Sequence, residues 1–490
     1  MATVRRRGSW NPRCWSFRAW LVFASIFLVL SPFASRWFFL RSVPEVTLPF
    51  EVEDIISTEI TKDENAFEQY AIAAQMFAPF LSGPFPETLN AALDTPDHSW
   101  DANVENVLTE FKPVLTRYRR GCEMERAAGI SLKDADDVNI FPLELHQALR
   151  TLSSFAAVEA IRCERMGDLK DAWDWLRANL RCATHAQMPG LSYCQQIACG
   201  IRSKAFRGIV LWSQNSDLTV QQLRVAQAGI TEEYAKRTTL IDVAKADYLL
   251  LRNTLRRADA PNILYPAMDS GTAFEPHFLF MKRQAFWVVG QPELMLRLAR
   301  QMLVNLSDQI DRPIERQSKR VHSNGEIVFE FAPDSRRLPG QLAPIWLAAL
   351  LNHRLPNLPS DEIPFFVPNE EWPLFNWIPR IERQFRYQET RFAMTKVVLS
   401  CQQFQRLHGE FPRDLRQLVP EFLDELPHDP MSLNQAPLQY RREPNGDGIV
   451  WHAASDDMDQ SDDLEMLMQQ DRCDIIRVRT YQADQKTKGN

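Results

Sequence analysis

The sequence predicts a mainly α-helical protein with an N-terminal transmembrane helix, an irregular helical-hairpin, solenoid-like body, and a small C-terminal α+β module with a long helix and a three-stranded antiparallel sheet. Three observations support this class. Residues 19–35 are uncharged and apolar, apolar residues recur at helical spacing through 142–257, and a strand–turn–strand pattern follows a long helical segment. The predicted segments are a basic cytoplasmic start, the membrane helix, the exported helical body, a Pro-rich linker and the C-terminal module: 1–18, 19–40, 41–355, 356–380 and 381–490.

The segment 19–40 is long enough to cross a membrane. At about 1.5 Å per residue its uncharged run covers roughly 25 Å, and 37–40 extend it towards the roughly 30 Å of a hydrocarbon core. Arginines precede the segment without a single acid, whereas acids follow it, so the positive-inside rule leaves the N-terminus in the cytoplasm. The sequence therefore predicts a single-pass membrane protein whose bulk is exported.

A cleaved signal peptide is the alternative, because a basic start and an apolar segment are common to both. The apolar run exceeds the roughly 7 to 15 residues of a signal core, and 32–35 is a poor small-x-small cleavage site. These features favour the anchor. Both alternatives export the bulk of the chain.

The composition is that of a globular protein and gives no sign of nucleic-acid binding. The 490 residues are 45% hydrophobic and 24% charged, a balance that argues against a disordered tail. The net charge of −7 supplies no clustered basic surface of the kind that nucleic acid requires. The chain also lacks a Gly-rich phosphate loop, His-Glu-x-x-His, Gly-x-Ser-x-Gly and Cys-x-x-Cys. No catalytic residue and no cofactor is predicted from motifs.

The body is predicted as a series of helices with short connections. Gly167 ends one helix, Asp168 caps the next, and 189–190 separates that helix from a third. A capping box at 219–222 starts a fourth. The predicted helices are 67–77, 105–118, 143–166, 169–185, one from 191, one from 219, 240–255, 293–306 and one from 345, with a short strand at 327–331.

Residues 165–176 resemble the turn and second helix of a tetratricopeptide-like repeat, with Ala172 as the small packing residue. No strict 34-residue period continues on either side, so the resemblance implies a loose helical-hairpin solenoid. Such a solenoid has a concave face, which is usually a binding surface. A plain helical bundle is the alternative.

The C-terminal module is predicted from a long helix over 381–407 that runs into His-Gly-Glu-Phe-Pro at 408–412. Strands at 438–441 and 449–452 flank an Asn-Gly turn, and 474–479 is the last strand. This order resembles the globular part of the major pseudopilins of type II secretion. The whole chain resembles a family of bacterial membrane-anchored helical-repeat proteins.

The resemblance to pseudopilins implies a calcium site in the acidic loop 455–463, where those proteins bind the ion. Carboxylate oxygens are the ligands that calcium prefers, although the spacing excludes an EF-hand. A solvated acidic loop is the alternative. The candidate ligands are Asp456, Asp457, Asp459, Asp462 and Asp463.

Of the eight cysteines, seven lie on the exported side of the predicted span, and an odd number cannot all pair. Most are predicted to be small buried hydrophobes. Cys182 and Cys194 lie at the end of one predicted helix and the start of the next. A bridge between them is the one pairing that the helical pattern suggests.

The leading functional hypothesis is a membrane-anchored, exported interaction or scaffold protein that binds other proteins of the bacterial cell envelope. An accessory component of a type II secretion-like system is one alternative, suggested by the C-terminal resemblance. A hydrolase-type enzyme with carboxylates in the helical groove is another, with Glu144, Glu159 and Asp247 as candidates. Buried, satisfied carboxylates or helix-face charges also explain these three residues.

Overall fold

The computed structural model describes most of the helical chain and part of the C-terminal module. Contacts divide the chain into two compact units, one of Met1–Thr47, Leu255–Met302 and Ala332–Phe375 and a second of Leu48–Thr254, Leu303–Phe331 and Asn376–Asn490. The described residues are 17–42, 45–51, 60–78, 100, 102–128, 143–256, 291–310, 319–321, 327–329, 373–432, 436–452 and 475–479.

The described residues are mainly helical and include a small three-stranded antiparallel sheet, so the predicted fold class is confirmed at that level. The helices are α1 (Phe17–Ser42), α2 (Ala66–Phe77), α3 (Ala102–Glu123), α4 (Leu143–Arg165), α5 (Leu169–Ala186), α6 (Ser192–Ser213), α7 (Val220–Ala235), α8 (Leu240–Leu255), α9 (Gln291–Ile310) and α10 (Pro373–His408). The strands are β1 (Lys319–Val321), β2 (Ile327–Phe329), β3 (Gln439–Arg442), β4 (Gly448–Trp451) and β5 (Ile475–Val478).

The helix α1 covers the predicted span 19–40. Its described apolar side chains, which include Trp20, Phe23 and Phe27, are largely exposed. Within the described ranges, however, no helix combines the length and the hydropathy needed to cross a membrane. The membrane span is therefore not confirmed and stays a prediction.

In the second unit, the helices α4, α5 and α6 pack as consecutive hairpins. Gly167 adopts a φ of 80° after α4, a left-handed conformation that glycine takes without strain. The Asp168 side chain accepts a hydrogen bond from the backbone N–H of Asp171 at 3.0 Å and caps α5. At the same end of the hairpins, Trp212 Nε1 donates to the Leu169 carbonyl at 3.0 Å and joins the end of α6 to the start of α5. The predicted breaks are therefore correct.

Two element boundaries differ from the prediction. Pro113 lies inside α3, which is longer than the predicted helix 105–118. The long helix α10 begins at Pro373 rather than at Ile381, so the predicted Pro-rich linker 356–380 is wrong for residues 373–380. Proline at the first position lacks only an N–H that the first helical turn leaves unpaired, and Pro379 lies inside the helix. The short strand predicted at 327–331 is observed as β2, and it pairs with a second strand, β1, that was not predicted. The helix predicted from 345 lies outside the described residues.

The C-terminal sheet has the order β3-β4-β5 and is antiparallel throughout, as predicted. Val450 and Val478 from the sheet pack in one buried cluster with apolar residues of α10, including Val397 and Val398. The Tyr440 hydroxyl donates to the carbonyl of Pro412 at 2.8 Å and holds the sheet against the end of the long helix. The module is therefore built around α10.

This module is also packed on the helical body. The Gln227 side chain of α7 donates to the carbonyl of Phe422 at 2.8 Å, and Gln214 donates to the carbonyl of Arg477 at 3.1 Å. The rings of Tyr234 and Phe392 stack with centroids 4.1 Å apart. The body and the C-terminal module thus share buried contacts.

Candidate functional site

A surface groove of about 610 Å³ lies where α3, α4 and α5 meet, and we call it the α3–α5 groove. Residues three or four apart occupy one side of a helix, a spacing shared by Glu159 and Arg162 on α4 and by Asp171 and Trp175 on α5. The residues that line it are Leu108, Thr109, Lys112, Leu115, Thr116, Arg119, Arg120 and Glu123 of α3, Glu159 and Arg162 of α4, and Asp171 and Trp175 of α5.

The carboxylate of Glu159 is occupied by a neighbouring guanidinium. Arg162 donates to it through Nη2 at 2.5 Å and through Nε at 2.8 Å, which is a bidentate geometry. The same arginine also approaches Glu105 at 3.4 Å. The hydrogen bonds to Glu159 raise the pKa of Arg162 above its usual range. This pair is therefore a fixed ion pair in the groove wall.

Across the groove, Arg119 of α3 is held by α5. It donates to Asp171 Oδ1 at 2.7 Å, and its Cζ lies 4.9 Å from the ring centroid of Trp175. Burial favours the neutral form of Asp171, yet the hydrogen bond and charge of Arg119 hold the pKa of that carboxyl below its usual range. The contacts place a fixed guanidinium on an aromatic surface at the centre of the groove.

The rim of the groove is cationic. Lys112 and Arg120 are exposed, and neither forms an ion pair with any residue in the described ranges. A shallower depression of about 250 Å³ adjoins the groove, shares Arg119 with it, and adds Arg177 and Arg181. Arg177 and Arg181 are paired with Glu232 and Glu233, so among the described residues Lys112 and Arg120 are the lining cations left without a carboxylate, which suits an acidic partner.

The three carboxylates considered for catalysis do not converge. Glu144 is exposed on α4, Glu159 lies in the groove, and Asp247 is buried on α8 and does not line the groove. Asp247 Oδ1 accepts the backbone N–H of Ser192 at 3.3 Å, while its Oδ2 has no hydrogen-bond partner within the described chain. Burial raises the pKa of Asp247 well above its usual range. These positions form no acid and base pair.

The five aspartates of the candidate calcium loop lie outside the described residues. Elsewhere, the described side chains contain no group of three or more histidines, cysteines or acids that could hold a metal ion. The calcium hypothesis stays a prediction.

The bridge predicted between Cys182 and Cys194 is wrong. Both residues are free, buried thiols. Cys182 belongs to the main core, whereas Cys194 packs with Leu191 and Ala246 in a separate apolar cluster. Cys194 of α6 therefore faces Ala246 of α8, whereas Cys182 of α5 faces the main core.

Sequence reasoning also misses a half-buried polar pair between α4 and α6. Lys204 Nζ lies 2.5 Å from Ser154 Oγ and 3.1 Å from the carbonyl of Arg150. Burial lowers the pKa of Lys204 to about 8. Neither Lys204 nor Ser154 lines the groove, and the lysine serves to satisfy a helix carbonyl.

Comparison with protein-family models, with curated proteins and with solved structures finds no match to this chain. The function must therefore be argued from the groove itself. Its arginines and Trp175 were not singled out in the sequence, although the spacing of Glu159 with Arg162 and of Asp171 with Trp175 was a local signal. Only the packing of α3 on α5 brings Arg119 to them.

Proposed function

We propose that this chain is a membrane-anchored, exported interaction protein of a bacterial cell envelope, and that the α3–α5 groove docks an acidic segment of a partner envelope protein. The observation that carries the proposal is the fixed Arg119 on the face of Trp175, bordered by the unpaired cations Lys112 and Arg120. Arginine and tryptophan are the residue types that most often dominate binding at protein interfaces.

The electrostatics of the groove favour binding over hydrolysis. A general acid needs a carboxyl whose pKa is raised towards neutral pH, whereas Arg119 holds the pKa of Asp171 below its usual range. Of the other two lining carboxylates, Glu159 accepts from both Nε and Nη2 of Arg162, and Glu123 pairs with Arg119 at 3.6 Å. Carboxylates in such pairs position Arg119 and Arg162, and Lys112 and Arg120 are the cations of the described groove left to meet a ligand.

The exported location is proposed from the N-terminal segment. The uncharged run at 19–35, the arginines before it and the exposed apolar side chains of α1 support a membrane anchor with the body outside the cytoplasm. The helix and three-stranded sheet of the C-terminal module support, as a second candidate, an accessory role in a type II secretion-like system.

Site-specific photo-cross-linking tests the docking proposal. A photo-reactive amino acid at Thr116, which is exposed in the groove, should cross-link a partner in intact cells, and one at the exposed Gln221 of α7 should not. The cross-link should disappear in the double variant Lys112→Glu/Arg120→Glu. It should persist in the matched control Arg224→Glu, an exposed arginine of α7. A partner captured equally in both charge variants would contradict docking in this groove.

A further inference from the structure

The core between α2, α3 and α5 contains a ladder of polar side chains. Asn179, Cys182 and His185 are spaced by three along α5, so they share one face of that helix. Tyr118 and Cys122 are four apart on α3 and face them. All five side chains are buried.

Two rungs of this ladder are fixed by direct contacts. The Tyr118 hydroxyl donates to Asn179 Oδ1 at 2.7 Å. Farther along α3 and α5, the Tyr70 hydroxyl of α2 lies 2.9 Å from His185 Nδ1 and 3.6 Å from Cys122 Sγ. Cys182 is the residue between Asn179 and His185 on this face of α5. It therefore lies opposite Cys122, and both thiols belong to the same buried cluster.

We propose that Cys122 and Cys182 form a redox-active pair that closes to a disulfide between α3 and α5 when the chain folds in an oxidising compartment. The expectation that the chain meets such a compartment rests on the proposed export. The pair itself rests on the ladder geometry.

The oxidant is a second disulfide, supplied by an oxidised dithiol oxidoreductase or by oxidised glutathione. One cysteine thiolate attacks the disulfide and displaces one thiolate, which leaves a mixed disulfide. The second cysteine thiolate then attacks this mixed disulfide at the first cysteine's sulfur and displaces the other thiolate. The two cysteines lose two electrons and two protons, and the oxidant leaves as two thiols.

The timing of closure follows from burial. Desolvation raises the pKa of the Cys122 thiol, so little of the reactive thiolate exists once the core is formed. Cys122 also lines the depression that adjoins the groove, so Cys122 is the thiol of the pair nearer the surface. We expect the bridge to form as the core closes and then to be protected from reductants.

No other described cysteine has this arrangement. Cys163 approaches Asp171, Cys199 accepts from Gln195, and Cys194 packs among apolar side chains. Cys194 and Cys199 lie five apart on one helix, roughly 8 Å between Cα atoms, beyond disulfide reach. A bridge at Cys122 and Cys182 would join the two helices that carry Arg119 and Trp175, and so would fix the groove.

Peptide mapping of the full chain tests the pair. Cells are quenched with an alkylating agent, and the purified protein is digested with trypsin without reduction. Peptide 121–126 contains Cys122 alone, and peptide 182–202 contains Cys182 with Cys194 and Cys199. The linked pair should appear at the sum of the two peptide masses less two hydrogens, with Cys194 and Cys199 alkylated. It should persist in Cys194→Ser and in Cys199→Ser, and be lost in Cys182→Ser.

A second arm separates the pair from the export proposal and needs no variant. The wild-type chain is refolded in a glutathione redox buffer, and its free thiols are counted and mapped. If Cys122 and Cys182 stay free in the redox buffer, the proposed disulfide is wrong. The proposed disulfide is also wrong if both thiols are free in cells in which external protease digests the body. If they bridge in the buffer but are free and protease-protected in cells, the pair stands and the export proposal fails. Reduction of the bridged chain should lower its melting temperature by roughly 10 °C.

Discussion

At the scale of single residues, the informative groups are buried charges, because each must be neutralised or paired. Glu233 is almost fully buried and accepts from Arg181 at 2.6 Å, with Arg177 and Lys236 nearby. Asp247 is equally buried, and no ion pair joins it to the described residues. Glu233 is neutralised by arginines, whereas Asp247 stays protonated. The stability of the protein should therefore respond differently to mutation of each residue and to pH.

Asp247→Asn should make the protein's stability less dependent on pH. The folded pKa of Asp247 lies well above its unfolded value near 3.8. The folded state therefore binds the proton more tightly, and the stability this contributes is complete below about pH 4 and is lost as pH rises through the folded value. Relative to wild type, Asp247→Asn should gain stability with rising pH.

Urea unfolding of both proteins from pH 4 to 8 measures this, and the difference between the two curves isolates the carboxyl. Glu144→Gln is the control, since Glu144 is an exposed carboxylate on α4. If the unfolding free energies of Asp247→Asn and wild type change equally with pH, the Asp247 carboxyl is ionised in the folded protein and the prediction is wrong.

Glu233→Gln should destabilise the protein by roughly 1–3 kcal/mol, because the buried acceptor of Arg181 loses its charge and leaves the guanidinium underpaired. The adjacent Glu232→Gln is a matched control, since Glu232 is half exposed and its pairs with Arg177 and Lys236 are screened by water. Chemical denaturation compares the two variants. Equal losses in both would mean that burial of Glu233 does not decide its contribution.

At the scale of elements, the packing of the helices depends on close approaches that the hydrophobic pattern does not reveal. A Cβ at Gly121 of α3 would lie 2.5 Å from a ring carbon of Tyr70, and that ring is fixed by its contacts with Cys122 and His185. The helix α2 therefore sits on α3 at a glycine. By contrast, a Cβ at Gly200 of α6 would meet nothing within 4 Å.

These two glycines give a matched prediction. Gly121→Ala should destabilise the protein by roughly 1–3 kcal/mol through overpacking against Tyr70. Gly200→Ala should be neutral or stabilise it by up to about 1 kcal/mol, because alanine favours the helix and space is free. Thermal unfolding compares the variants. A Gly121→Ala variant as stable as the wild-type protein would show that α2 and α3 can move apart without loss of stability.

At the scale of the whole molecule, the proposed membrane anchor and the export of the second unit can be tested together. Protease added to intact spheroplasts should digest the part of the chain after Leu40, whereas a cytoplasmic reporter protein in the same cells should survive. This result is expected because the arginines lie before the apolar run and the acids after it. Protection of the body in intact spheroplasts would contradict export. An N-terminus found near Arg36 would instead establish cleavage.

Much of the fold could be predicted from local patterns. Gly167, Asp168 and the Thr219–Gln222 capping box mark helix ends through backbone chemistry that depends only on neighbours in sequence, and all three are observed. The Asn-Gly turn likewise set the β3–β4 register. The start of α10 was misplaced because proline limits a helix without always preventing it.

The candidate site could be predicted only in small part. Glu159 was recognised as a carboxylate near an apolar face, and it does line the groove, but its role is set by Arg162. Arg119 reaches Asp171 and Trp175 from a helix some fifty residues earlier in the chain. No sequence period encodes such a contact, because it depends on how side chains from separate helices fit.

By itself, then, the sequence determined the helical class, the C-terminal sheet and most helix ends, since spacing and capping are local properties. Tertiary structure alone decided which charges are paired, which cysteines face each other, and where the groove lies. Cys182 shows the difference: its position near the end of α5 suggested Cys194 as a partner, whereas the packing of α3 on α5 places it opposite Cys122. Residues close in sequence are held together by the chain, whereas contacts in the core depend on which helix faces pack against each other.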